Sequence, residues 1–186
     1  MKRRSICVYC GSRCSSVPEH SFAATTVGTL IATSGCDLVY GGAAVGLMGV
    51  VADAALDAGG RVIGFLPELF GSPEIAHDRL TELHVVETMH VRKAAMAERS
   101  DAFLAMPGGI GTFEEICEAI TWSQIGLHTK PCGLLNTDGF YDPLLVLFDR
   151  AVADGFMTAE RLAKIVVSED PQELLSRLTE RCDVTA

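Results

Sequence analysis

This 186-residue chain is short of basic charge, of long apolar runs and of any glycine followed by lysine. Fifteen Lys and Arg face 24 Asp and Glu, a formal net charge of −9. Nucleic acid, which is held by basic surfaces that neutralise phosphates, is therefore not an expected partner. No uninterrupted apolar run approaches the ~20 residues of a membrane helix, and the opening MKRRSICVYCGSR lacks the apolar core of a secretion signal. The expectation is a soluble, cytoplasmic protein without membrane contact. The missing Gly-Lys pair removes the Walker A loop and, with it, ordinary ATP hydrolysis.

Paired metal-ligand spacing is also lacking. The seven cysteines are odd in number and scattered, and Cys7 and Cys10, the one CxxC, fall in a predicted strand. A separation of three residues there points the side chains to opposite faces. Reduced, buried thiols are expected, with no metal and no cofactor.

What is present is apolar material for one core, at 48% hydrophobic residues. A single domain over 1–186 is expected, with the tail from about 181 to 186 frayed. Seven short apolar runs recur: SICVYC (5–10), CDLVYG (36–41), RVIGFLP (61–67), ELHVVE (82–87), DAFLAMP (101–107), CGLLN (132–136) and KIVVS (164–168). Segments of helical period lie between them, among them EHSFAATTVGTLIATSG, VGLMGVVADAALDAGG, MHVRKAAMAERS and TFEEICEAITWSQIG. This alternation predicts an α/β, Rossmann-like doubly wound domain with a mostly parallel sheet covered on both faces. Ligands in such sheets bind beyond the carboxyl ends of the strands, where the strand order reverses.

Three strand ends run into glycine-bearing turns: Gly11-Ser12-Arg13, Gly41-Gly42-Ala43-Ala44, and Pro107-Gly108-Gly109-Ile110-Gly111-Thr112. The last opens a helix, whose N-terminal N–H groups and dipole suit an anion. A dinucleotide GxGxxG fails, because Gly109-Ile110-Gly111 is followed at the third position by Glu114. Thr112 and Glu115 have the spacing of a capping box, which accounts for one acid without chemistry. Glu114, Glu115 and Glu118 together exceed what a cap needs. In a second cluster, Met89, His90, Arg92 and Lys93 open another helix, where cations oppose the macrodipole unless an anion or carboxylate offsets them. Arg92 is the stronger functional candidate, since a guanidinium can bridge phosphate or carboxylate with two hydrogen bonds.

These residues resemble a known family. PGGIGTFEE matches the PGGxGTxxE signature and METMHVRK the MHxRK segment of the LOG ("lonely guy") proteins, cytokinin riboside 5′-monophosphate phosphoribohydrolases that were often labelled lysine decarboxylases. The likeness extends through VYCGS, LVYGGAAVGLMGVVADAALDAGG, VIGFLP and TWSQIGLHTKPCGLLNTDGFYDPLL. It implies hydrolysis of the N-glycosidic bond of an adenine-type nucleoside 5′-monophosphate, without cofactor, by a homodimer. It also implies Arg92 and Glu115 as the catalytic pair, with Gly108, Gly109, Gly111 and Thr112 around phosphate and ribose. Glu74 and Thr121 fall on further substrate-contact positions. Gly11, Ser12, Gly41, Gly42, Met89, Lys93, Ile110, Phe113 and Glu114 complete the expected substrate-binding set.

In such a site Glu115 would stabilise positive charge on the ribose or activate water, while Arg92 neutralises phosphate and holds the carboxylate. Ala43-Ala44 stand where plant members typically carry a third glycine, which bears on substrate preference. Two other readings stay open at this stage: a general nucleotide-recycling phosphoribohydrolase, and a non-catalytic nucleotide-binding or carrier module. Decarboxylation through pyridoxal phosphate requires a lysine, and the chain has only Lys2, Lys93, Lys130 and Lys164. Trp122 is either a subunit contact or a core residue.

Overall fold

The computed structural model describes residues 3–70 and 75–184. Strands β1 (Ser5–Tyr9), β2 (Asp37–Tyr40), β3 (Arg61–Pro67), β4 (Glu82–Val86), β5 (Ala102–Ala105), β6 (Cys132–Leu135) and β7 (Val166–Ser168) form one sheet. All seven apolar runs of the sequence become strands. Their order is β4-β3-β2-β1-β5-β6-β7 and every pairing is parallel. The order reverses between β1 and β5, so the ligand edge lies beyond Tyr9 and Ala105.

Side-chain alternation divides the core into two layers. Ile6, Val8 and Cys10 join Leu38, Tyr40 and Leu104 on one face, where they meet α1 (Pro18–Thr33), α2 (Gly46–Asp57) and α7 (Pro171–Val184). Cys7, Tyr9, Val39 and Phe103 face the other way, against α3 (Met89–Arg99), α4 (Ile110–Gln124) and the buried Tyr141. The CxxC is thus split across the sheet as its spacing predicts. All seven cysteines are free, and burial pushes the Cys7 thiol up to about 12. Among the described residues no group of three or more His, Cys, Asp or Glu is placed to hold a metal, and no helix is long and apolar enough to cross a membrane.

On the first face, α1 and α2 pack closely because Gly28 has no side chain: a Cβ there would lie 2.3 Å from the Val51 carbonyl oxygen. Two further helices, α5 (Asp142–Ala153) and α6 (Ala159–Leu162), complete the chain between β6 and β7. Of the tail expected to fray, residues 185–186 lie outside the described residues. The helix α7 continues to Val184, with Cys182 buried in the core.

Candidate functional site

The three glycine-bearing turns meet at the switch point. Gly11 N–H donates to the Pro107 carbonyl at 3.1 Å, and Leu47 N–H donates to the Gly11 carbonyl at 3.0 Å. The Tyr141 hydroxyl donates to the Met106 carbonyl at 2.7 Å and fixes the end of β5 from below. Gly108 permits the tight approach: a Cβ there would lie 2.2 Å from Thr112 Oγ1 and 2.9 Å from Gly11 N. Around these turns lies a cavity of about 430 Å³ whose walls include Gly11, Ser12, Arg13, Pro107, Gly108 and Gly109.

Helix α4 starts at this cavity, but not where the capping-box pattern put it. Gly109 is the N-cap and no side chain caps the helix. Thr112, buried at the third helical position, and Glu115, at the sixth, therefore do not form the expected box. The first-turn N–H groups keep no side-chain acceptor, as an anion site requires. A Cβ at Gly109 or Gly111 would meet nothing within 4 Å, so both face open space, beside the exposed Ile110. Phe113 packs inward, 6.0 Å from Phe140 between ring centroids.

Relieved of capping, Glu115 pairs with Arg92. The Arg92 Nη1 donates to Glu115 Oε1 at 2.6 Å and Nε donates to the Phe65 carbonyl at 3.0 Å, and each of the two side chains is only 10% exposed. A Cβ at Gly41 would lie 2.2 Å from Arg92 Nη2, so the bare backbone after β2 is what admits the guanidinium. Burial holds the Glu115 carboxyl above its ordinary range, and the pull of Arg92 in the other direction does not overcome it. The buried carboxylate also acts on the end of β1: its charge adds to the burial that raises the Cys10 thiol.

The Lys93 ammonium donates to Glu114, and to Glu118 at 3.1 Å. Burial acts to lower its pKa, but the two carboxylates outweigh it and the ammonium is held more firmly protonated than usual. The cations of α3 are thus offset by carboxylates of α4. They also sit in the second turn, because Thr88 is the N-cap and accepts from Val91 N–H at 3.2 Å. Much of the acidic excess of the PGG helix is accounted for by this pairing. Neither Arg92 nor Lys93 lines the 430 Å³ cavity.

Other expected residues lie at varying distance from this centre. Met89 and His90 are exposed at the start of α3. Gly42 follows Gly41 in a turn tied to residues 75–77, with its carbonyl accepting from His77 N–H at 3.0 Å and Ala43 bridged to Ala76. Thr121 is exposed and its hydroxyl donates back to the Cys117 carbonyl at 2.7 Å. Trp122 is half-buried against the core layer of α4. Glu74 lies outside the described residues. A second cavity, about 390 Å³, opens at the amino edge of the sheet around Lys130, Pro131 and Cys132 and contains none of the candidate residues. Sequence reasoning missed His20, which is buried on the wall of the switch-point cavity. No local pattern marks it.

Comparison with known proteins gives these residues a context. A family model described as "possible lysine decarboxylase" matches residues 48–178. A cytokinin riboside 5′-monophosphate phosphoribohydrolase from Rhodococcoides fascians is 51% identical over 168 residues, covering 90% of this chain and 85% of that protein. The Arabidopsis thaliana enzyme of the same name, LOG2, is 46% identical over 177 residues, covering 95% and 83%. Among solved structures, the molybdenum cofactor carrier protein of Chlamydomonas reinhardtii superposes with a TM-score of 0.74 at 23% identity, covering 98% of this chain and 99% of that one. At that identity the likeness is one of fold.

Proposed function

The chain belongs to the LOG family of cytokinin riboside 5′-monophosphate phosphoribohydrolases, and from that premise we propose that it cleaves the N-glycosidic bond of adenosine 5′-monophosphates, N6-modified or plain, to free base and ribose 5-phosphate. The observation that carries the reading is the buried Arg92–Glu115 pair beside an uncapped helix N-terminus at the sheet's switch point.

As the base departs, positive charge builds on the anomeric carbon, and a fixed carboxylate in a poorly solvated wall stabilises that charge strongly. Glu115 fills this role and positions the attacking water. Arg92 acts as a positioning residue, because its hydrogen bonds go to Glu115 and to the Phe65 carbonyl. The N–H groups of Ile110, Gly111 and Thr112 receive the 5′-phosphate, with Gly108 and Gly11 shaping the floor. Ser12 closes that side, and Gly41, Gly42, Met89 and Phe113 border the ribose and base. Thr121 contacts the base end, and the family resemblance assigns Glu74 to the same substrate-binding set. Glu114 and Lys93 brace α4 against α3 next to the bound nucleotide.

The family's decarboxylase description does not fit the lysines. Forming an aldimine with pyridoxal phosphate needs an amine that can shed its proton, and Lys93, the lysine nearest the site, is held protonated between Glu114 and Glu118.

The assembly is proposed as a homodimer. Its support is the family membership and the exposed apolar side chains just after α4, Ile125 and Leu127. Light scattering on the purified protein checks it. The compartment is proposed as a reducing cytoplasm, which suits seven free thiols.

The deciding experiment is turnover on AMP, GMP, CMP and N6-prenylated AMP, with base and ribose 5-phosphate quantified. Preference for prenylated AMP supports a cytokinin-producing role, equal turnover of all four points to general nucleotide recycling, and binding without base release refutes the hydrolase reading.

A further inference from the structure

The basic residues expected to meet the phosphate are committed elsewhere: Arg92 to Glu115, and Lys93 to Glu114 and Glu118. A dianionic group in the switch-point cavity would then have backbone dipoles but no cation facing it. The opposite wall supplies what is missing.

His20, at the third position of α1, is only 6% exposed and lines the cavity. Its ring stands edge-on to Phe140, with centroids 5.7 Å apart, and its Nδ1 lies 2.9 Å from Ser15 Oγ. That hydroxyl oxygen already accepts the Val17 N–H at 3.0 Å. If the hydroxyl gives its own proton to Nδ1, the ring carries its proton on Nε2. Nε2 is buried and has no hydrogen-bond partner among the described residues. A buried nitrogen left without a partner costs folding free energy unless something that binds there satisfies it.

Two further features converge on the same wall. Helix α1, 16 residues long, begins at the cavity without a side-chain cap, as α4 does from the other side. Arg13, also on the wall, is exposed and has no ion pair among the described residues. Within a chain of net charge −9, this is a cation held clear of carboxylates at the one place where an anion is expected.

We propose that His20, through Nε2–H, and Arg13, through its guanidinium, are ligands of the nucleotide 5′-phosphate and set the preference for phosphorylated over unphosphorylated nucleosides. The proposal rests on the phosphoribohydrolase reading for the identity of the anion, though not for the existence of the subsite.

The test uses ribose 5-phosphate, which carries the phosphate without the base. In ¹⁵N-labelled wild-type protein, adding it shifts the His20 Nε2 resonance. His20→Phe preserves the edge contact with Phe140 but removes the donor, and Arg13→Ala removes the cation from an exposed position that folding does not depend on. Each weakens ribose 5-phosphate binding by about 10-fold or more, as expected for a lost hydrogen bond to a charged group. Each also raises KM for the monophosphate more than it lowers kcat. His20→Gln, which keeps an N–H donor, recovers part of the affinity.

An unmoved His20 resonance, or wild-type affinity in both His20→Phe and Arg13→Ala, overturns the proposal. Absence of base release by a wild-type protein whose His20 resonance responds to ribose 5-phosphate would sink the hydrolase reading and leave the subsite standing.

Discussion

Gly41 and Arg92 adjoin so closely that a Cβ on the former would sit 2.2 Å from Nη2 of the latter. The guanidinium reaches Glu115 only through the space that the glycine leaves. Gly41→Ala therefore displaces Arg92 and loosens Glu115, and kcat/KM falls by on the order of 10²-fold, the usual consequence of a catalytic group moved by about an ångström. Steady-state kinetics with a structure of the variant checks both halves of this expectation.

The Arg92–Glu115 pair also bears on stability. Arg92→Met leaves a buried carboxylate without compensation and destabilises the fold by about 3–5 kcal/mol. Arg92→Met combined with Glu115→Leu removes both charges, recovers most of that loss and remains inactive. Urea unfolding of the single and double variants measures the difference.

Activity should respond to pH through Glu115, whose carboxyl is raised by burial against the opposing effect of Arg92. The working form is the carboxylate, so kcat/KM is full above the raised value and is lost as pH falls through it, at a higher pH than an ordinary carboxylate would give. Arg92→Gln removes the opposing charge and shifts this acid limb further upward. Stability has the reverse sign: the folded state holds the Glu115 proton more tightly than the unfolded chain, so this group's contribution is present at low pH and is lost as pH rises through the raised value. Glu115→Gln flattens that slope and lowers kcat by about 10²-fold or more. Wild-type turnover in Glu115→Gln would remove the residue from the mechanism.

Two glycines of the PGGIG turn should separate folding from binding. Gly108→Ala drives a methyl into Thr112 Oγ1 and the Gly11 backbone, so both stability and substrate affinity suffer. Gly111 lies inside α4 with open space around it. There alanine is worth about 0.5–1 kcal/mol to the helix, while its methyl intrudes on the ligand's approach. The expected result for Gly111→Ala is an unchanged or higher melting temperature with a raised KM for the monophosphate, read by thermal melts and kinetics on the same preparation.

The sheet was legible in the sequence because its inner parallel strands, buried on both faces, read as apolar runs, and each run from SICVYC to KIVVS, the largely exposed edge strand β4 included, becomes a strand. The start of α4 was less legible. Thr112 and Glu115 have capping-box spacing, yet the chain enters the helix three residues earlier, at Gly109, since two glycines and a close contact with Gly11 favour that turn. Pairings between elements left no local trace. The sequence places Lys93 and Glu118 in different helices, and only the packing of α3 beside α4 shows that they form an ion pair. His20 illustrates the same limit, since an isolated histidine in a helical segment gains meaning only when the residue is found on a cavity wall with its Nε2 buried and unpartnered among the described residues.

The contact that Gly28 permits between α1 and α2 has a bearing on how the nucleotide enters. Helix α1 brings His20 to the cavity, and the first turn of α2 brings Leu47, so the close packing at Val51 ties these two parts of the wall into one rigid body. A wall built that way is preorganised: it meets its ligand with little conformational adjustment, and the binding free energy is not spent on ordering the pocket.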